Sequence, residues 1–241
     1  TVHGKDVEKF YVFEALKNSS LDHNAFNSAR WIKNEAKRIR DHRDEVISQH
    51  RFLVSSLKDD RYSFSSILDF GGSLGTASYA LDEAFKDRKF NYTVLETTEV
   101  CKEGKGIHSE NSAVFVDSID KIKNKIDVVY LRTSLQYAPS WKNTILSLCE
   151  LSPSILIFDH LSAGKVTTTR LVQNYYGSKI PYWVISSDEM IDILSDAGYE
   201  CSDIKKCQDF SREMFDPDIP EESRIDYTVR FTAVRKTDEN K

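Results

Sequence analysis

The residues whose types and spacing suit chemistry gather around one stretch, Leu68-Asp69-Phe70-Gly71-Gly72-Ser73-Leu74-Gly75. Gly71 and Gly72 permit backbone angles and a close approach that a Cβ would block. Gly75 lets a following helix start close against the preceding strand. The N-terminus of that helix offers unpaired N–H groups and a partial positive charge to a ligand. The dinucleotide fingerprint spaces its glycines as G-x-G-x-x-G, whereas here the order is Asp-x-Gly-Gly-x-x-Gly. An acid two residues before the first glycine repels a pyrophosphate and attracts an ammonium group. The amino-acid end of S-adenosylmethionine (SAM) therefore suits Asp69, directly or through water. A second acid, Glu96, followed by Thr97, falls about 20 residues past the turn, where an acid at a strand tip grips ribose hydroxyls.

Proton removal needs a different residue. Asp159-His160 follows the apolar run Ser154 to Phe158. Histidine is the side chain that ordinarily titrates near neutral pH, which makes His160 the general-base candidate with Asp159 as its orienter. His108 is a weaker candidate, in a loop with Gly104 and Gly106. His3, His23, His42 and His50 fall in the N-terminal region and read as surface residues. The polar stretch Ser162 to Trp183 is long for a connection and reads as a functional loop. Its Arg170, Gln173, Tyr175 and Trp183 suit a polar, anionic acceptor such as a sugar or sugar phosphate.

These groups require an alternation of strands and helices, the sequence sign of a doubly wound α/β sheet. Strands are expected at Ser65 to Phe70, up to Glu96, at Ala113 to Val116 and at Ile126 to Leu131, with a further one at Ser154 to Phe158. The nearly all-apolar Ile126 to Leu131 reads as central. Helices are expected at Thr76 to Phe85, at Pro139 to Leu151 and from Ser187 to Gly198. Tyr199 to Asp209 and Asp226 to Val234 read as two closing strands. The resulting division is a helical extension over 1–61, a core over 62–236 and a polar tail over 237–241. In the extension, Val7 to Leu16, Ala25 to Ile39 and Asp44 to Leu57 carry helical spacing. They pack on the sheet or form a lid using Tyr11 or Trp31.

The glycine stretch resembles the class I SAM-dependent methyltransferases. Within them it is similar to a family found among bacterial surface-polysaccharide genes. Ser134-Leu135-Gln136-Tyr137 and the region Gln173 to Ser186, with Ile180-Pro181-Tyr182-Trp183, carry the same resemblance, which spans roughly Tyr62 to Tyr199. It implies a Rossmann-like, mostly parallel seven-stranded sheet with helices on both faces. It also implies SAM as cofactor, S-adenosylhomocysteine as product, and a sugar-type acceptor methylated on oxygen in the cytoplasm. By that resemblance Asp117 and Ser118 face the adenine, and Arg132, Thr133 and Tyr137 lie beneath the methionine moiety; Asp117-Ser118 also reads as a helix cap for Ile119 to Lys123, and one residue can do both. No Asn/Asp-Pro-Pro-Tyr motif follows the central strand, which argues against methylation of an adenine, cytosine or glutamine amino group. Two other readings remain: a nicotinamide-dependent oxidoreductase, and a non-catalytic binding module on the same scaffold.

Composition sets the bounds. The 241 residues, 40% of them hydrophobic, fit one large α/β unit. A formal net charge of −5, with basic and acidic residues interleaved, argues against a nucleic-acid partner. No apolar run approaches the ~20 residues of a membrane span. Cys101, Cys149, Cys201 and Cys207 lack metal-ligand spacing and read as reduced packing residues, with no metal site expected. The start at Thr1 fits a processed or excised piece of a longer polypeptide, and the family resemblance implies a place in a glycan-assembly complex.

Overall fold

The computed structural model describes residues 12–16, 21–58, 63–108, 113–175, 177–209 and 211–236. The expectations for residues 7–11, for the break at 18–20 and for the tail 237–241 lie outside these residues.

In chain order the strands are β1 (Phe13–Ala15), β2 (Ser66–Phe70), β3 (Asn91–Leu95), β4 (Val114–Val116), β5 (Val128–Arg132) and β6 (Ile155–Leu161). They continue with β7 (Ala163–Gly164), β8 (Thr169–Tyr175), β9 (Ser178–Ser186), β10 (Tyr199–Cys201), β11 (Lys205–Asp209) and β12 (Tyr227–Arg235). The α-helices are α1 (Ala29–Asp41), α2 (Arg43–Ser48), α3 (Arg51–Leu57), α4 (Ala77–Ala84), α5 (Thr98–Ile107), α6 (Trp141–Glu150) and α7 (Ser187–Asp196).

The main sheet runs β10-β12-β6-β5-β2-β3-β4. From β6 to β4 every pair is parallel, and β12 joins β6 antiparallel. β10 and β11 follow one another along the outer edge of β12. They fill a single strand position, so the eight strands occupy seven positions. β5 is buried from Val128 to Leu131, as a central strand covered on both faces must be. Alternate residues of β2 serve opposite faces. Leu68 joins Trp141, Ile145 and Leu148 of α6 and Met190 of α7. Ile67 joins Leu53 and Leu57 of α3 with Ala77 and Leu81 of α4.

Four local expectations are corrected. The stretch with Gly104 and Gly106 is helix α5, not a loop. A Cβ at Gly104 would overlap the Phe115 ring, so that glycine serves packing on β4. Phe13–Ala15 is a strand rather than part of a helix. Phe13 packs 4.8 Å from both the tilted Tyr182 ring and the stacked Phe215 ring, and that tertiary contact overrides helical spacing. The presumed loop from Ser162 to Trp183 is mostly sheet. β8 and β9 pair antiparallel, turn at Gly177 with φ +84°, and with β1 and β7 form a second sheet. Finally, β6 does not stop at Phe158 but runs on through Asp159 and His160.

Candidate functional site

The carboxyl ends of β2, β3, β4 and β5 open onto one cavity of about 610 Å³. This is where ligands bind in open α/β sheets. The turn after β2 contributes Phe70, Gly71 and Ser73, and the tip of β3 contributes Leu95, Glu96 and Thr97. Asp117, Ser118 and Ile119 follow β4, and Arg132 to Ser134 end β5. Tyr137 to Pro139 lie beyond them. Phe26, Trp31, Glu35 and Arg38 of the N-terminal segment and Tyr175 of β8 complete the wall.

The turn is shaped for close approach. Gly71 has φ +65°, and a Cβ there would stand 2.5 Å from the Ser134 Cβ. Ser73 and Thr133 also hold positive φ, at 53° and 52°, a conformation that concentrates at functional sites. Glu96 accepts from the Ser73 N–H at 3.1 Å and from the Thr97 N–H at 2.8 Å. Burial pushes the Glu96 carboxyl up, partly offset by those two bonds. Three hydroxyls on the cavity wall, Ser73 Oγ, Thr97 Oγ1 and Ser134 Oγ, are buried without a hydrogen-bond partner. Unpaired buried hydroxyls are costly, and a polar ligand relieves that cost. Asp117 holds Lys121, and that hydrogen bond draws its carboxyl below the usual range. The glycine cradle, the acid at β3 and the unpaired hydroxyls fit a nucleoside cofactor such as SAM.

Four of the anticipated cofactor residues lie behind this wall. Asp69 is 2% exposed and accepts from the Tyr92 hydroxyl. Burial lifts its carboxyl to about 7, against the Tyr92 bond that lowers it. A Cβ at Gly72 would overlap this carboxylate. Asp69 thus supports the turn from beneath instead of facing an ammonium group. Leu74 is fully buried, and its carbonyl accepts from His108 Nε2 at 2.7 Å. Gly75 makes room for the same imidazole. His108 stacks on Tyr79 at 5.1 Å, so it is built into the helix layer.

The Asp159-His160 pair does not line the cavity either. Asp159 is 1% exposed and sits 3.6 Å from Arg132 Nε and 3.5 Å from Arg230 Nε. The His160 ring lies 3.3 Å from Thr228 Oγ1. The reason is the continuation of β6: Leu161 pairs with Val229 of β12, and Asp159 and His160 lie in the bulge before that pair instead of being released into the cleft. His50, expected at the surface, is buried. Its Nδ1 meets the Tyr130 hydroxyl at 3.2 Å and its Nε2 meets Thr76 Oγ1 at 2.9 Å. Burial, then Arg132 and Arg38, hold it down at about 3, so it stays neutral.

Of the anticipated acceptor residues, Tyr175 reaches the cavity, and its hydroxyl accepts from Trp31 Nε1 at 3.3 Å. Gln173 and Trp183 stand one layer back. Gln173 accepts from the Tyr137 hydroxyl at 2.9 Å, and Trp183 Nε1 donates to the Ala138 carbonyl at 3.0 Å. Arg170 lies over the Trp183 ring at 5.6 Å. Sequence reading missed Phe26, Glu35 and Arg38. Phe26 packs against Trp31, Tyr137 and Tyr175 at 5.5, 5.0 and 5.7 Å. Arg38 pairs with Glu35 at 2.7 Å. The available signal was the aromatic pair Phe26 and Trp31 ahead of a charged helix face, which also fits plain packing.

No protein-family model matches the sequence, and none of the curated proteins matches it. Solved structures do match in fold. One is 1,6-didemethyltoxoflavin-N1-methyltransferase from Burkholderia thailandensis, with bound S-adenosylhomocysteine. It has TM-score 0.56 and 12% identity over 93% of this chain and 95% of that one. Another is a SAM-dependent methyltransferase from Clostridium acetobutylicum, at TM-score 0.55 and 9% identity over 86% and 100%. A third is magnesium protoporphyrin IX methyltransferase from Synechocystis PCC 6803 with bound SAH, at TM-score 0.53 and 16% identity over 89% and 98%. Seven strand positions, the glycine cradle after β2 and the acid at the tip of β3 thus give this chain the fold of the SAM-dependent methyltransferases.

Proposed function

We propose that this chain transfers the methyl group of SAM to an oxygen of a small ring-bearing acceptor, with a sugar or sugar phosphate as the acceptor class. The observation that carries the reading is the single cavity in which the Gly71 turn, Glu96 and three unpaired hydroxyls meet an aromatic wall. SAM supplies a methyl group already activated by its sulfonium. The protein's task is then orientation and, for a hydroxyl acceptor, proton removal. Glu96 would take the ribose hydroxyls, and Asp117 with Ser118 would face the adenine. Ser73 and Ser134 would pair with the amino-acid end. Phe26, Trp31, Tyr137 and Tyr175 offer flat faces on which a ring can stack. Glu35, on α1 and paired with Arg38, replaces His160 as the candidate proton acceptor because it borders the cavity. The sugar class and a role in surface-glycan synthesis rest on the sequence resemblance together with this wall.

The test is calorimetric titration with SAM and with NAD, followed by radiolabelled methyl transfer to a panel of sugar phosphates and phenols. Binding of SAM and labelling of a sugar phosphate are expected. Binding of NAD in place of SAM would sink the cofactor assignment, and labelling confined to the phenols would sink the acceptor class.

A further inference from the structure

One cluster of reactive side chains lies outside the cleft, where two irregular strand pairings meet on β12. The β11–β12 register shifts between Lys206 and Gln208, at Cys207. The β6–β12 register shifts across Asp159 and His160, and His160 takes φ +53°. Bulges re-aim side chains, and here both aim at Thr228. Cys207 Sγ lies 3.2 Å and His160 Nδ1 3.3 Å from Thr228 Oγ1. His160 Nε2 lies 3.9 Å from Asp159 Oδ1. A ligand atom from each of Asp159, His160 and Cys207 falls within 4.8 Å of the others. Asp159 is 1% exposed, and its Oδ1 faces Arg230 Nε at 3.5 Å, an ion pair with no hydrogen bond between them. Buried polar groups without a hydrogen bond are rare and call for a physical reason.

We propose that Cys207 is a nucleophilic thiol set up by His160, Thr228 and Arg230, and that this cluster is a modification site for hydroperoxides, separate from the methyl-transfer cleft. Charge decides between this and a metal site. Asp159 carries one negative charge against the two positive charges of Arg132 and Arg230. A thiolate at Cys207 makes the cluster neutral, whereas a divalent cation beside the two arginines would leave a buried surplus of positive charge. Burial pushes the Cys207 thiol up, but hydrogen bonds from His160 and Thr228 outweigh it and bring it to about 7. The other cysteines move the opposite way. Burial raises Cys101 and Cys201, and lifts Cys149 to about 11. Among the described residues β11 pairs only with β12, so Cys207, partly exposed, lies on the sheet edge within reach of a small oxidant. In the step, the thiolate sulfur attacks the terminal peroxide oxygen. The S–O bond forms as the O–O bond breaks, giving a sulfenic acid. Sulfur loses two electrons, the peroxide gains them, and the departing alkoxide or hydroxide takes a proton from solvent.

The test uses the full chain and its own four cysteines. The protein is treated with limiting hydrogen peroxide near neutral pH with dimedone present, and each adduct is read by peptide mass spectrometry. Cys207 is expected to react about ten-fold faster than Cys149 or Cys201, as a larger thiolate fraction requires. Its alkylation by iodoacetamide should show a midpoint near pH 7. His160→Ala, or Thr228→Val should that variant not fold, should slow Cys207 and raise its midpoint without changing Cys201. The proposal is overturned if wild-type Cys207 reacts no faster than Cys201, or if neither variant moves the midpoint. It is also overturned if Cys207 reacts only after EDTA removes a bound metal.

Discussion

Both oxygens of Glu96 are held by backbone N–H groups, of Ser73 and Thr97. The carboxylate therefore stays in place before any ligand arrives, and in the proposed site the ribose hydroxyls need only add their donors. Glu96→Ala removes those charge-assisted bonds and frees the Ser73 turn. SAM should bind ~10–100-fold more weakly, the equivalent of roughly 1.5–3 kcal/mol. Gly71→Val should bind no measurable SAM, because its Cβ meets Ser134 and its φ is positive. Calorimetry showing unchanged affinity in both variants would remove the glycine cradle from the cofactor site. Asp69 makes a separate, pH-linked prediction. Its carboxyl titrates at about 7 in the folded chain and is raised mainly by burial. The folded state then holds a proton that the unfolded chain has lost. The stability this group confers is complete below the unfolded value, near 4, and is lost as pH rises through about 7. The linked change is at most about 4 kcal/mol. Asp69→Asn keeps an acceptor for Tyr92 but does not titrate. Urea midpoints should fall from about pH 5 to about pH 8 more steeply in wild type than in the variant. Parallel profiles would show that Asp69 is ionised throughout.

At the scale of elements, the second sheet and α1 decide the shape of the proposed acceptor side. Tyr175 sits at the end of β8 and Trp31 in the first turn of α1, and one hydrogen bond joins them. Ser28 caps α1 by accepting from the Trp31 N–H at 3.3 Å, so the cap and the wall are fixed together. Tyr175→Ala should raise the acceptor KM about ten-fold while SAM affinity stays within about two-fold. An equal loss of SAM affinity and of melting temperature would mark the wall as structural only. The tip of β6 works in the other direction. Because β12 pairs past Phe158, Asp159 and His160 are drawn into the sheet and away from the cleft.

For the whole molecule, a ligand that binds only the folded chain must stabilise it. SAM at about 100 times its Kd adds roughly 2.7 kcal/mol, or about 5–10 °C for a chain of this size. A thermal-shift scan with SAM but not NAD should show that rise. An unmoved transition in saturating SAM would contradict the cofactor reading at the level of the entire fold. No helix among the described residues is long and apolar enough to cross a membrane. The division between what sequence and tertiary structure each decided follows from the range of the forces involved. The glycine turn, the apolar run of β5 and the acid after β3 were legible because backbone sterics, continuous burial and strand-tip spacing act over a few neighbouring residues. The parallel order of the core could be read for the same reason, since strand and helix patterns alternate along the chain. Nothing local marked Asp69 as buried beneath Gly72, His50 as neutral in the core, or Phe26 and Glu35 as cavity walls. Those outcomes depend on contacts between residues far apart in sequence. Likewise, Asp159 and His160 had the composition of a base at a strand end, and only the pairing of β6 with β12 placed them beside Cys207 instead of the cleft.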